Sequence, residues 1–198
     1  QNLRKPDLSK IPVEKRQVNF ESNGYQRYDQ SDVSPMPIPG GPGSYVANGS
    51  EHDGIGDTTH LAERHIQMTH RRWNKIKVLE DGDFEADSID SPIALVPWGG
   101  TKGPAREAYD KLIKSGTDIG WLYTMFINPL PPDMLNVLRQ KELVIVPELN
   151  FQGQFSMVLR SLGVNAVSIT QYTGLPFKVK DLVERVTEQI ESYKQGNK

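Results

Sequence analysis

From about residue 93 to residue 193 the chain alternates short apolar runs with amphipathic stretches, and this alternation restricts it to very few architectures. Ile93-Ala94-Leu95-Val96, residues 119–126, Leu143-Val144-Ile145-Val146 and Ala166-Val167-Ser168-Ile169 read as strands. They lack a polar face, as strands covered on both sides do. Between them lie helical patterns. Lys102-Gly103-Pro104 opens one that runs through Ala105, Ala108, Leu112 and Ile113 and closes at Ser115-Gly116. Pro131-Pro132 starts a short one with Met134, Leu135 and Leu138, and a third covers about residues 152–162. A closing helix over 180–193 turns Leu182, Val186 and Ile190 inward. Parallel strands need such crossovers, so the pattern predicts an α/β domain over 91–198, a mostly parallel sheet with helices on both faces. Ligands of such sheets meet the carboxyl ends of the strands, which directs attention to loops 98–103, 128–132, 147–154 and 170–177.

The first ninety residues follow other rules. Pro35, Pro37, Pro39, Gly40, Gly41, Pro42 and Gly43 fall within nine positions. Proline lacks the N–H and glycine frees φ, so this density excludes helix and central strand. Residues 1–56 therefore read as an extended, irregular arm, with Phe20, Tyr25, Tyr28 and Tyr45 as anchors against a surface. Residues 57–90 read as a connecting helix and linker. Thr58 or Thr59 caps the helix, Leu61, His65, Met68, Arg72 and Ile76 share one face, and Asp81-Gly82-Asp83 ends it near Lys77.

Composition excludes several functions. A net charge of -2, from 23 Lys and Arg against 25 Asp and Glu with no long run of either, offers no field for nucleic acid or an anionic membrane. No apolar run approaches the ~18 residues that span a bilayer, and the start lacks a signal peptide's apolar core, so a cytoplasmic location is expected. With no cysteine in the chain, thiolate nucleophiles, disulfides and Cys-ligated clusters have no ligands here. The chain opens on Gln1 rather than Met, and the expectation is of a piece of a longer polypeptide.

The sheet-end loops carry a specific likeness. Val96-Pro97-Trp98-Gly99-Gly100-Thr101-Lys102-Gly103-Pro104, Asn128-Pro129-Leu130-Pro131, Val146-Pro147-Glu148-Leu149-Asn150-Phe151-Gln152-Gly153-Gln154 and Gly174-Leu175-Pro176-Phe177 resemble the transketolase C-terminal-like domain in the α subunit of 2-oxoacid:ferredoxin oxidoreductases. Upstream, Val33-Ser34-Pro35-Met36-Pro37-Ile38-Pro39-Gly40 and Gly49-Ser50-Glu51-His52-Asp53 resemble the segment that joins the pyrimidine-binding domain to it. Within the family the 2-oxoglutarate type is the nearest likeness. The resemblance implies oxidative decarboxylation of a 2-oxoacid with thiamine diphosphate, magnesium, iron–sulfur clusters and coenzyme A, with ferredoxin or flavodoxin as acceptor. It also implies partners, namely the rest of the α subunit and the β subunit. This chain holds no Tyr-Pro-Ile-Thr-Pro segment, no diphosphate and magnesium motif and no cluster cysteine, so it is expected to bind none of these cofactors alone and to be inactive alone. Met36 stands where family members often carry Arg, so that arginine's anionic contact does not carry over. A free-standing module that binds a phosphate-bearing coenzyme is the alternative.

Each candidate residue has a plain reading beside the functional one. Gly99 to Gly103 precede a helix whose free N–H groups suit an anion, which makes Thr101, Lys102 and Gly103 the cofactor-binding candidates. A tight strand-to-helix turn also wants glycine for its own sake, and the run is not a Walker sequence. His52, His60, His65 and His70 lie within nineteen residues. On a helix the last three step by about 140° each and spiral away from a shared face, so no metal site is expected. His52 and Asp53, in a Gly-rich loop, are candidates for an interdomain contact or an active-site rim. So are Glu148, Asn150 and Gln154, just past a buried strand, although Asn150 equally suits a helix cap. No residue is assigned a catalytic role.

Overall fold

A computed structural model describes Asp7, Ser9, residues 25–28, Asp32 and residues 34–196. Phe20, Val33 and most of the first 24 residues, part of the expected arm, lie outside the described residues. The chain divides into two compact units, Gln1–Lys77 and Val78–Lys198. The division falls just before the first strand of the sheet.

The second unit is a five-stranded sheet of order β1-β3-β2-β4-β5, with β1 Phe84–Asp87, β2 Ile93–Leu95, β3 Gly120–Thr124, β4 Leu143–Glu148 and β5 Ala166–Thr170. Strands β2 to β5 are parallel, and β1 runs antiparallel along the edge, pairing Phe84 with Thr124 and Asp87 with Trp121. Four helices complete the unit: α2 Lys102–Lys114, α3 Pro132–Arg139, α4 Gln154–Ser161 and α5 Val179–Gly196.

Strand parity sorts the core into two layers. Ile93, Leu95, Trp121, Leu143, Ile145 and Ile169 face α2 and α5, where they meet Ala108, Leu112, Leu182 and Val186. Their neighbours Ala94, Val96, Leu122, Val144, Val146 and Ala166 face α3 and α4, against Met134, Leu138, Phe155 and Leu159. Period-two alternation, with both faces apolar, is thus what made these strands read as unbroken apolar runs. Tyr109 joins the buried face of α2, whereas Ile113, expected there, is 39% exposed.

The chain steps from β2 outward to β3 through α2 on one face. It then returns across β2 to β4 and on to β5 through α3 and α4 on the other. A reversal of direction combined with a change of face keeps every crossover in one hand. It also parts the loops that follow β2 and β4, opening a crevice between the carboxyl ends of those two strands.

β1 is an element the sequence reading did not contain. The linker beyond it is held by Lys141, which is 8% exposed and donates from Nζ to the carbonyls of Ser91, at 2.7 Å, and Ile89. Burial lowers the pKa of this ammonium. Lys141→Met keeps the methylenes but strands both carbonyls, and should cost about 2 kcal/mol in urea unfolding. A variant as stable as the parent would show that the linker does not depend on this contact.

In the first unit α1 covers Ala62–Lys77. It starts later than Thr58 or Thr59 suggested, because Thr58 pairs with His52 in an antiparallel bridge and the Thr59 N–H bonds the Glu51 carbonyl at 3.0 Å. Residues 34–50 form no helix or strand. Turns such as the Gly41 N–H to the Ile38 carbonyl, 3.1 Å, shape them. The Tyr28 ring packs edge-on to Tyr45 at 5.7 Å, and the Tyr25 hydroxyl donates to the Pro35 carbonyl.

Candidate functional site

The crevice between β2 and β4 is a cleft of about 140 Å³, lined by Trp98, Gly99, Gly100, Thr101, Leu149, Asn150 and Gln154. On the β2 side a single 3₁₀ turn, Gly99–Thr101, leads into α2, with Gly99 at φ +52°. Thr101 is 2% exposed, and its hydroxyl works inward. It accepts from the Trp98 N–H at 3.1 Å and donates to the Trp98 carbonyl at 2.8 Å. Lys102 turns away from the crevice to the sheet edge, where Nζ meets Glu85 Oε1 at 2.6 Å and stands 4.0 Å from the centre of the Tyr123 ring. Gly103 is exposed, with open space beside its Cα. Of the three residues expected to bind a cofactor, two are therefore engaged by their own fold.

On the β4 side Glu148 is fully buried. Its carboxylate accepts four hydrogen bonds: from the backbone N–H of Phe155 at 2.8 Å and of Ser156 at 3.0 Å, from the Ser156 hydroxyl at 2.7 Å, and from Asn150 Nδ2 at 3.0 Å. The first turn of α4 offers N–H groups that the helix itself cannot satisfy, and a buried carboxylate answers both their hydrogen-bonding and their dipole. Asn150 extends the same cap, its Oδ1 accepting from the Gly153 and Gln154 N–H groups at 2.8 and 3.2 Å. Gly153 closes the turn at φ +68°, where a Cβ would lie 2.4 Å from Ser168 Oγ. Asn150 and Gln154 thus reach the cleft while Glu148 lies beneath it.

A cleft of this size sits below the ~300 Å³ at which small-molecule pockets begin, so it suits a protein side chain better than a coenzyme. Trp98 lines it with its ring 5.8 Å from Phe155, and its indole N–H has no hydrogen-bond partner among the described residues. In sequence Trp98 reads as a core or interface anchor at a strand end rather than a cofactor stacker.

His52 and Asp53 lie in the first unit. His52 is 8% exposed, its ring 3.9 Å from that of Tyr28, and its carbonyl accepts from Arg64 Nε at 3.2 Å. Asp53 builds its own loop, with Oδ1 accepting from the N–H groups of Ile55, Gly56 and Asp57, each at 3.0 Å. Glu51 is the better-connected acid. Arg72 grips it with two hydrogen bonds, at 3.1 and 3.0 Å, and His65 Nδ1 bonds it as well. His60 and His70 are exposed, and among the described residues no three His, Asp or Glu side chains converge to hold a metal.

The Arg72 hydrogen bonds, then those of His65, hold the Glu51 carboxyl at about 2 against an ordinary value of 4.5, despite opposition from burial. A depressed carboxyl pKa contributes stability that is complete above the unfolded value and is lost as pH falls through the folded one. The tie between loop and helix should therefore persist at pH 5 and disappear near pH 2. The ¹³C shift of the Glu51 carboxyl, followed through that range, checks this, and a midpoint near 4.5 would mean that the Arg72 contact does not form in solution.

No family model matches the chain. The 2-oxoglutarate oxidoreductase subunit KorA of Mycobacterium tuberculosis is 30% identical over 185 residues, 89% of this chain and 28% of its own length. The α subunit of 2-oxoacid:ferredoxin oxidoreductase 2 of Aeropyrum pernix is 30% identical over 203 residues, 92% of this chain and 30% of its own. Among solved structures, the 2-oxoglutarate:ferredoxin oxidoreductase of Magnetococcus marinus, with 2-oxoglutarate, coenzyme A and succinyl-CoA bound, matches with a TM-score of 0.82 and 30% identity over 95% of this chain and 34% of that one. The chain spans about a third of the length of these relatives, and over that third it is homologous to the α subunit of the 2-oxoacid:ferredoxin oxidoreductases, 2-oxoglutarate enzymes among them.

Proposed function

We propose that this chain serves as a structural and interdomain segment of the α subunit of a 2-oxoacid:ferredoxin oxidoreductase, that its enzyme oxidises 2-oxoglutarate, and that the segment is inactive alone. The complete enzyme would convert the 2-oxoacid and coenzyme A to acyl-CoA and CO₂ in the cytoplasm and pass electrons to ferredoxin. Thiamine diphosphate, with magnesium, supplies the carbanion-stabilising chemistry of that reaction when bound, and iron–sulfur clusters carry the electrons. This chain has no cysteine to hold a cluster, and among the described residues no three His, Asp or Glu side chains converge on a metal.

The observation that carries the reading is the match to a 2-oxoglutarate:ferredoxin oxidoreductase across 95% of the chain, at a TM-score of 0.82. Apolar surface supports the docking role. In the first unit Met36, Ile38 and Val46 are 45–51% exposed, and a groove of about 360 Å³ runs along residues 36–40, Ser44, Tyr45 and Ala47. In the second, Leu149, Phe151, Tyr172 and Leu175 are 42–72% exposed at the carboxyl ends of β4 and β5. Patches of this kind mark interaction surfaces. Among the described residues no helix is long and apolar enough to cross a membrane.

Calorimetric titration of the chain with coenzyme A tests the assignment. No micromolar binding at the Gly99–Gly103 turn is expected, because Thr101 and Lys102 are already engaged. Micromolar binding that Lys102→Gln abolishes would favour a free-standing coenzyme module instead.

A further inference from the structure

The first unit contains a group of cations that the family relationship does not account for. Ser34, 6% exposed, holds two guanidinium groups: Arg27 Nη1 donates to its carbonyl at 3.1 Å and Arg71 Nη2 to its hydroxyl at 2.7 Å. Both guanidinium carbons stand 5.9 Å from the centre of the Tyr28 ring, and that of Arg27 is also 5.5 Å from Tyr45. Arg71 donates further to the Arg27 carbonyl at 3.4 Å, so the two side chains are built into one cluster. Lys75 follows Arg71 by one turn of α1 and is half-buried.

These charges crowd one another. Burial and then the neighbouring Arg71, Arg27 and Arg72 lower the pKa of Lys75, while Asp32 acts against them. Asp32 lies at no bonding distance from Lys75 or Arg27 among the described residues, and Arg27 Nε is buried without a hydrogen-bond partner. A buried donor on a charged group, left unmade, is costly and calls for an acceptor.

We propose that Arg27 and Lys75, with Arg71 packed behind them, form an oxyanion site that takes a phosphate or diphosphate group. Two cations with no ion-paired carboxylate among the described residues match a phosphate, which carries about two negative charges at neutral pH, better than the single charge of a carboxylate. The planar guanidinium of Arg27 offers its paired donors to tetrahedral oxygens, and Lys75 adds a point charge. Tyr28 and Tyr45 fix the guanidinium so that little side-chain freedom is lost on binding.

The test titrates pyrophosphate, and separately inorganic phosphate, into the protein as purified with every subunit it carries. Lys75→Gln removes a side chain with no hydrogen bond among the described residues, so it should leave the fold intact. The expected result is loss of one pyrophosphate equivalent, or at least a tenfold rise in its Kd, in Lys75→Gln and in Arg27→Gln. Lys180→Gln, on α5 beside Glu184, should bind as the parent does, and raised salt should weaken the parent's binding. Identical isotherms for the parent and Lys75→Gln would overturn the site. Acetate competing for that equivalent as strongly as pyrophosphate would overturn its assignment to phosphate.

Discussion

Replacing Glu148 by alanine should lower the unfolding free energy of the sheet domain by about 4 kcal/mol, the size of effect kept for buried networks. The residue is fully enclosed, and its two oxygens satisfy Phe155, Ser156 and Asn150 together. Truncation leaves two backbone N–H groups and a hydroxyl without acceptors and opens a cavity beneath the cleft. Glu148→Gln keeps the shape but sets an amide N–H against one of those donors, and should cost about half as much. Gly153→Ala attacks the same turn from the other side, since its Cβ would overlap Ser168 at a φ of +68°. Urea unfolding followed by far-ultraviolet circular dichroism measures all three. A Glu148→Ala variant within about 1 kcal/mol of the parent would show that the carboxylate is not what anchors α4.

The double variant Phe151→Asp, Tyr172→Asp should fold normally and fail to assemble. The two rings meet edge-on at 5.0 Å, and both stand largely in solvent, 72% and 64% exposed. Little of the domain's own stability rests on them, so its melting temperature should stay within a few degrees. If the patch docks on the rest of the enzyme, each ring is of hot-spot size, about 2 kcal/mol, and the pair together amounts to about a thousandfold in association. Analytical ultracentrifugation of the variant with its subunits reads this directly. Assembly at parental affinity would remove these aromatics from the interface.

The α/β sheet was legible because each strand has both faces buried and every crossover carries its own helical period. β1 was not. Three of its four residues are exposed, Phe84 is its one large apolar side chain, and its order comes from pairing with β3 nearly forty residues away. The buried face of α1 was misplaced for a similar reason. Met68 lies inside as its spacing suggested, but Leu61 is 70% exposed, and Arg71, a charged residue, is buried because Ser34 and Arg27 of the arm receive it.

The candidate site was legible only in part. Loop positions after β2 and β4 do come together, as the topology requires, and the cap formed by Asn150 follows from its residue type. The role of Glu148 does not, because the N–H groups that donate to it lie seven and eight residues on and only the fold returns them to it. Sequence shows the glycine-rich helix start at Thr101 and Lys102 but not the partners that the fold supplies, Trp98 for one and Glu85 for the other.

The proposed role is completion of an oxidoreductase whose chemistry resides in residues outside this chain. Its most direct test is ferredoxin reduction driven by 2-oxoglutarate and coenzyme A, measured for the chain alone and for the chain within its assembled α and β subunits. The account predicts turnover by the assembly, greatest with 2-oxoglutarate among 2-oxoacids, and none by the chain alone. Turnover by the isolated chain, or an assembly that oxidises no 2-oxoacid, would contradict it.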